Sequence, residues 1–248
     1  TGMNAHGIYI TNGTIALGRT GTAAEGITVL LESGNIKTTG SGASGIYALS
    51  LTSGDVTIDI GTATSIEATG SGSIFTDGVK AINNVGNILV TTAGEIYGYS
   101  KGIRAVISND TSTGNIKIIQ TDGNVKGGTE GISADNSGSG DTTIILNSDV
   151  TGDYDGVEAR SSNGTGNILI TTAGKIYGGF LSGISADMCT QYECPGSIGN
   201  IKIIQTDGYI KGEKLGIFSV NKGSGESTII SNSGVTGGEY GILMGGDD

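Results

Sequence analysis

A dipeptide that keeps returning constrains this chain more than any other feature. Gly followed by an acidic residue or Asn opens a segment at Gly54-Asp55, Gly86-Asn87, Gly114-Asn115, Gly140-Asp141, Gly166-Asn167, Gly199-Asn200 and Gly225-Glu226. From Asp55 to Glu226 is 171 residues in six steps, a mean period of 28.5. Out of phase runs Gly-(Ile/Val)-x-Ala, at Gly45, Gly78, Gly102, Gly131, Gly156 and Gly183, fading to Gly216-Ile217-Phe218-Ser219 and Gly241-Ile242-Leu243-Met244. A third signature, (Ile/Val)-x-Gly, falls between them: Ile96-Tyr97-Gly98, Val125-Lys126-Gly127, Val150-Thr151-Gly152, Ile176-Tyr177-Gly178, Ile210-Lys211-Gly212 and Val235-Thr236-Gly237. Fixed periods of this size mark solenoids.

Each repeat therefore carries three short strands. Alternation as in Ile116-Lys117-Ile118 sends one face inward. A single repeat cannot bury that face; stacked repeats can, each pairing with the coil above and below. The expected fold is all-β: a right-handed parallel β-helix, a three-sheet solenoid of about 8–9 coils over residues 1–248. Right-handedness follows from the hand of parallel crossovers, and the calcium-binding nonapeptide pattern is absent. Coils 1–53 read as irregular and 54–248 as regular.

Composition agrees. Glycine occurs 47 times and proline once, and the glycines alternate with β-branched residues that suit strands. The formal net charge of −11 argues against nucleic acid or an anionic membrane as partner. No apolar run approaches the ~20 residues of a membrane span, and no signal peptide is visible at the start. Gly245-Gly246-Asp247-Asp248 stops just after a repeat begins, so the chain reads as a piece of something longer.

A larger duplication lies over the short one, 87–159 matching 167–244. Asn87-Ile88-Leu89-Val90-Thr91-Thr92-Ala93-Gly94 returns as Asn167-Ile168-Leu169-Ile170-Thr171-Thr172-Ala173-Gly174, 80 residues on; Asn115-Ile116-Lys117-Ile118-Ile119-Gln120 returns as Asn200-Ile201-Lys202-Ile203-Ile204-Gln205, 85 on. Most of the gained residues lie between Gly183 and Asn200, around Cys189, Tyr192, Cys194 and Pro195. Insertions in solenoids map to protruding loops, which predicts a loop near 187–198, a candidate binding loop with Tyr192. Its two cysteines are close enough in sequence to close it as a Cys189–Cys194 disulfide, with a free thiol pair as the alternative. They lack a third partner for a metal, because the sole histidine, His6, is far away along the chain.

Several residues carry groups capable of chemistry or binding. His6 precedes the ragged first coil without a positioned partner and reads as a surface histidine. Asp153 and Asp155 flank Tyr154 as a glycosidase pair would, yet their repeat counterparts are Gly238 and Tyr240, so they read as loop acids. Asn87, Asn115, Asn167 and Asn200 share one corner and read as a structural amide ladder, buried between coils. The outward positions of the third signature run Tyr97, Lys126, Thr151, Tyr177, Lys211, Thr236. Tyr97, Lys126, Tyr177 and Lys211 form the candidate binding stripe, since tyrosine is favoured at interfaces; a sheet surface copied by repetition is the plainer reading. Phe218 and Leu243, outward in the last coils, predict an exposed apolar patch. No catalytic residue, metal-ligand set or cofactor motif is read.

The Gly-Asn-Ile ladders, the Gly-Ile-x-Ala corners and the acidic Thr/Asn/Gly-rich character resemble the passenger domains of bacterial autotransporters (type V secretion). That resemblance covers essentially the whole chain. It implies a secreted or bacterial cell-surface protein and a C-terminal outer-membrane barrel in the parent polypeptide. Autotransporter serine proteases carry Gly-Asp-Ser-Gly, which has no counterpart here. Among passengers, the chain is most similar in character to proangiogenic growth-factor mimics. Membership there implies a non-enzymatic virulence factor whose partner is a host-cell surface protein, a vascular growth-factor receptor tyrosine kinase on endothelial cells. An adhesin or self-associating passenger is the alternative. A polysaccharide-active β-helix enzyme is disfavoured, since the Gly-His-Gly and Arg-x-Lys elements of polygalacturonases are missing.

Overall fold

The computed structural model describes residues 6–12, 26–71, 75–163, 165–188 and 198–246. These residues form strands, turns and bends only, and every strand pairing is parallel. The chain is a β-solenoid. Its three ladders follow the three sequence signatures in order.

The ladder of the Gly-Ile-x-Ala signature is a continuous nine-stranded sheet, from Ile8–Asn12 through strands such as Ile103–Ile107 and Ile132–Asn136 to Tyr240–Gly246. The Gly-Asn ladder includes Ile88–Thr92, Ile116–Gln120 and Ile201–Gln205. The short third ladder includes Glu95–Gly98, Val125–Gly127 and Ile176–Gly178. Equivalent signature residues face each other in register: Ile103, Ile132 and Val157 lie in one column.

The expected three separate sheets hold only after the first coils. Ile27–Thr38 and Val56–Ala68 each run through a corner unbroken and fuse two ladders into one fourteen-stranded sheet. The irregular region thus extends past residue 53 to Ala68. Two later coils turn at Asp122-Gly123 and Asp207-Gly208, where the glycines adopt φ 68° and 72°, in the left-handed region that glycine enters freely.

Inward residues are almost all Ile, Val or Ala, and they make one core the length of the rod, with Ile46, Ile58, Ile103, Ile118, Ile144 and Ile170 fully buried. Each such Ile contributes roughly 1.5–3 kcal/mol by leaving water. Two signatures explain one another here. A Cβ on Gly102 or Gly131 would lie 2.5 Å from a γ-methyl of Val125 or Val150, and one on Gly156 or Gly183 2.6 Å from a γ-methyl of Ile176 or Ile210. The corner glycine leaves the space that the β-branched residue of the next coil's short strand fills.

The polar ladder after glycine forms, but in solvent. Asp55 Oδ1 accepts the Asn87 N–H (2.8 Å), Asn87 Oδ1 the Asn115 N–H (2.9 Å), and Asn115 Oδ1 the Asp141 N–H (2.7 Å). The relay continues from Asp141 to Asn167, Asn200 and Glu226. These side chains are exposed, not buried, because the residue after the corner glycine points outward before the strand begins. Buried asparagines occur instead at Asn83, Asn136 and Asn221, at the ends of strands of the Gly-Ile-x-Ala ladder. Asn136 Nδ2 donates to Gly114 O (3.1 Å) and Gly140 O (2.9 Å), tying two coils together; Asn221 does the same for Gly199 and Gly225, each at 3.0 Å.

Candidate interaction surface

The alternation of the short strands brings Lys37, Glu67, Tyr97, Lys126, Thr151, Tyr177, Lys211 and Thr236 into one outward column. The stripe read in the sequence is therefore a real column, with two more members at its start. Its ends differ. Lys37 Nζ pairs with Glu67 at 2.8 Å. At the other end Lys211 Nζ lies 5.4 Å from the centre of the Tyr177 ring and 3.5 Å from Glu213 Oε1. Tyr177 Oη donates to the same carboxylate at 3.1 Å, a bond that pushes its phenol pKa up. A shallow groove lies beside Tyr97 and Lys126, bordered by Glu67, Glu95 and Asn124.

The next corner adds what the sequence reading missed. Tyr154 and Phe180 project from adjacent coils with ring centres 5.2 Å apart, and Lys214 Nζ sits 4.9 Å from the Phe180 ring. Tyr154 is 48% and Phe180 51% exposed, so about half of each ring remains for a partner. Phe180 falls in the stretch Gly178–Gly183, which is one residue longer than Gly98–Gly102; that extra length was the signal available in the sequence.

Asp153 and Asp155 do not share a face. Asp153 is exposed, whereas Asp155 turns into the rod and its Oδ1 accepts the Ser182 N–H at 2.8 Å. Burial pushes the Asp155 carboxyl up, and the nearby Glu130 adds to the effect against the Ser182 bond. Around it lies a set of packed charges: Lys101 paired with Glu130, whose pKa is lowered by Lys101 and Thr129 against burial, and Glu158 paired with Arg160 at 2.5 Å. Cys189, Tyr192 and Cys194 lie outside the described residues. Phe218 and Leu243 are half-buried rather than fully exposed, and they face each other on adjacent rungs of one column. At the last described rung the inward side chains Ile242 and Met244 are instead exposed, 43% and 47%.

His6 is not a bare surface histidine. Its ring stacks on Tyr9 (5.3 Å) and meets Tyr47 edge-on (5.0 Å), and its Nδ1 accepts the Ser44 N–H at 2.9 Å. In the neutral ring the proton is then on Nε2. Burial, and after it Lys80, lowers the His6 pKa. Lys80 Nζ lies 4.8 Å from the Tyr47 ring and 5.2 Å from Phe75.

No family model, curated protein or solved structure matches the chain.

Proposed function

We propose that this protein is a secreted, non-enzymatic passenger of the autotransporter kind that binds a protein on the host-cell surface. The observation that carries the binding half is the clustering of aromatic and cationic side chains on neighbouring coils: Tyr177 with Lys211, and Tyr154 with Phe180 and Lys214. Rigid aromatic groups with a cation alongside are what interface hot spots use, since they bury area at small entropic cost. A solenoid supplies the stiffness, because every rung is held by its neighbours. The secreted origin, and a vascular growth-factor receptor tyrosine kinase as partner, are supported by the sequence resemblance alone.

The experiment is capture of cell-surface receptor ectodomains by the purified chain, followed by phosphorylation of the captured receptor on endothelial cells. One growth-factor receptor should be enriched and phosphorylated. A Tyr154→Ser/Phe180→Ser variant with an unchanged melting curve should lose about tenfold or more in affinity, as two hot-spot rings imply. No enrichment, or full affinity in that variant, rejects the reading. Self-association through the polar ladders on the outside of the rod is the second reading; concentration-dependent sedimentation tests it.

A further inference from the structure

The opposite end of the rod holds a different kind of site, on the nine-stranded sheet. Its outward column starts Tyr9, Tyr47, Lys80, Arg104 on consecutive rungs. With His6, Phe75 and the side-chain-free Gly42, the first three of these line an open recess of about 470 Å³. Three aromatic rings and the only histidine of the chain converge there, although aromatics are 5% of the sequence.

Its electrostatics run against the rest of the molecule. The chain is formally −11, yet Lys80 and Arg104 stand on adjacent rungs, and neither belongs to an ion pair among the described residues. The nearest acid is Asp77. It is fully buried, and its Oδ1 accepts the Lys101 N–H at 3.2 Å while its Oδ2 has no partner. Burial pushes the Asp77 carboxyl up, against the pull of Lys80 and Arg104. Lys80 is itself largely buried, 8% exposed, and burial pushes its ammonium pKa down against the pull of Asp77.

We infer that this recess binds an acidic oligosaccharide: a hexuronate-bearing glycan whose pyranose face lies on Tyr9 and Tyr47 and whose carboxylate is met by Lys80 and Arg104. An amphipathic ring with C–H faces, hydroxyl edges and one negative group matches what the recess presents. Tyrosine offers an apolar face and a polar tip. The His6 Nε2–H donates to a sugar hydroxyl, and charge-assisted bonds to the carboxylate supply most of the affinity. The open shape suits a segment of a longer chain rather than an enclosed small molecule. The inference does not rest on the receptor reading, because the Tyr177 and Phe180 surface belongs to other columns.

The test is calorimetric titration of the full chain with a hyaluronan hexasaccharide, beside neutral chitohexaose and hexaglutamate, with the His6 ring signals followed by NMR. His6 is the only histidine, so its signals report on the recess alone. The expected result is binding of the hexuronate, weakened by salt, with a shift at His6, and little binding of the neutral sugar or the acidic peptide. Tyr9→Ser and Arg104→Gln, both at outward positions, should each weaken binding about tenfold, the loss of one charge-assisted bond or stacking face, with unchanged melting curves. Equal binding of hexaglutamate would show that charge alone is recognised. Equal binding of chitohexaose would show that the cations are not used. Either result, or a hexuronate titration that leaves His6 unmoved, overturns the proposal.

Discussion

The two copies of the duplicated unit share a backbone and differ in what they put at one corner. In the copy at 87–159 the residues before the corner glycines are Lys101, Glu130 and Asp155, and the outward column reads Arg104, Ser133, Glu158. In the copy at 167–244 the same positions hold Ser182, Leu215 and Tyr240, and Ser185, Phe218, Leu243. One copy packs charges against charges; the other packs apolar groups and hydroxyls. Inward residues hardly change, with Ile103, Ile132 and Val157 matched by Ile184, Ile217 and Ile242. The difference teaches that the inward half of each strand sets the fold, while the corner can exchange an ion-pair set for an apolar one at constant backbone.

Substitutions at matched positions test how far that equivalence goes. The largest contrast is expected at Gly156 and its counterpart Gly241. A Cβ at Gly156 would meet Gly183 O and Ile176 Cγ2 of the next coil, each at 2.6 Å, whereas Gly241 is on the last described rung, where no described coil follows and the nearest atom is Val235 O at 3.4 Å. Gly156→Ala should cost about 3 kcal/mol or more through forced displacement of the next coil, and Gly241→Ala less than about 0.5 kcal/mol. Urea melts of the two variants make the comparison, and equal midpoints would sink it.

The charged corner comes next. Lys101 and Glu130 are each 15% exposed at the side chain. Lys101→Ser alone leaves Glu130 without its cation and should cost about 2–3 kcal/mol, somewhat less than a fully buried pair. Importing both residues of the other copy, Lys101→Ser with Glu130→Leu, should recover most of that loss. A double variant as unstable as the single one would mean that the two corners are not interchangeable.

The buried amides should behave alike in both copies. Asn136→Ala removes the donor shared by Gly114 O and Gly140 O, Asn221→Ala the donor shared by Gly199 O and Gly225 O. Each should cost ~1–3 kcal/mol by leaving carbonyls unpaired. Asn115→Ala, in the exposed relay, should cost less, because water replaces the amide there. Chemical denaturation of all three ranks them, and a larger loss at Asn115 would reverse the assignment.

The smallest expected effect is a pH dependence at the charged corner. Asp155 has its carboxyl raised by burial and by Glu130. A raised carboxyl binds its proton more readily folded than unfolded. Stability is therefore lost as pH rises from the ordinary aspartate range through the raised value, and the loss is constant above it. Asp155→Asn keeps the Oδ1 acceptor for Ser182, so it should raise the melting temperature at pH 7, and the gain should vanish at pH 3. A gain of equal size at both values would show that charge is not its cause.

Sequence alone determined the coil. A 28.5-residue period, three signatures and strict alternation leave one way to bury Ile, Val and Ala, which is to stack them. Ladder order, the register of the Tyr97–Lys211 stripe and the pairing of corner glycine with β-branched residue follow from that period. The buried amides were also within reach: in Ala134-Asp135-Asn136 the alternation that buries Ala134 also turns Asn136 inward. Tertiary structure decided the rest, because each of those contacts involves a residue that lies outside the three repeated signatures. His6 meets Tyr47 and Ser44 across a coil, and Phe75 reaches Lys80 from a corner. Phe180 finds Tyr154 through a stretch one residue longer than its repeat counterpart. A repeat fixes what recurs. The recess and the aromatic corner are built from what does not recur, and only the folded rod brings those residues together.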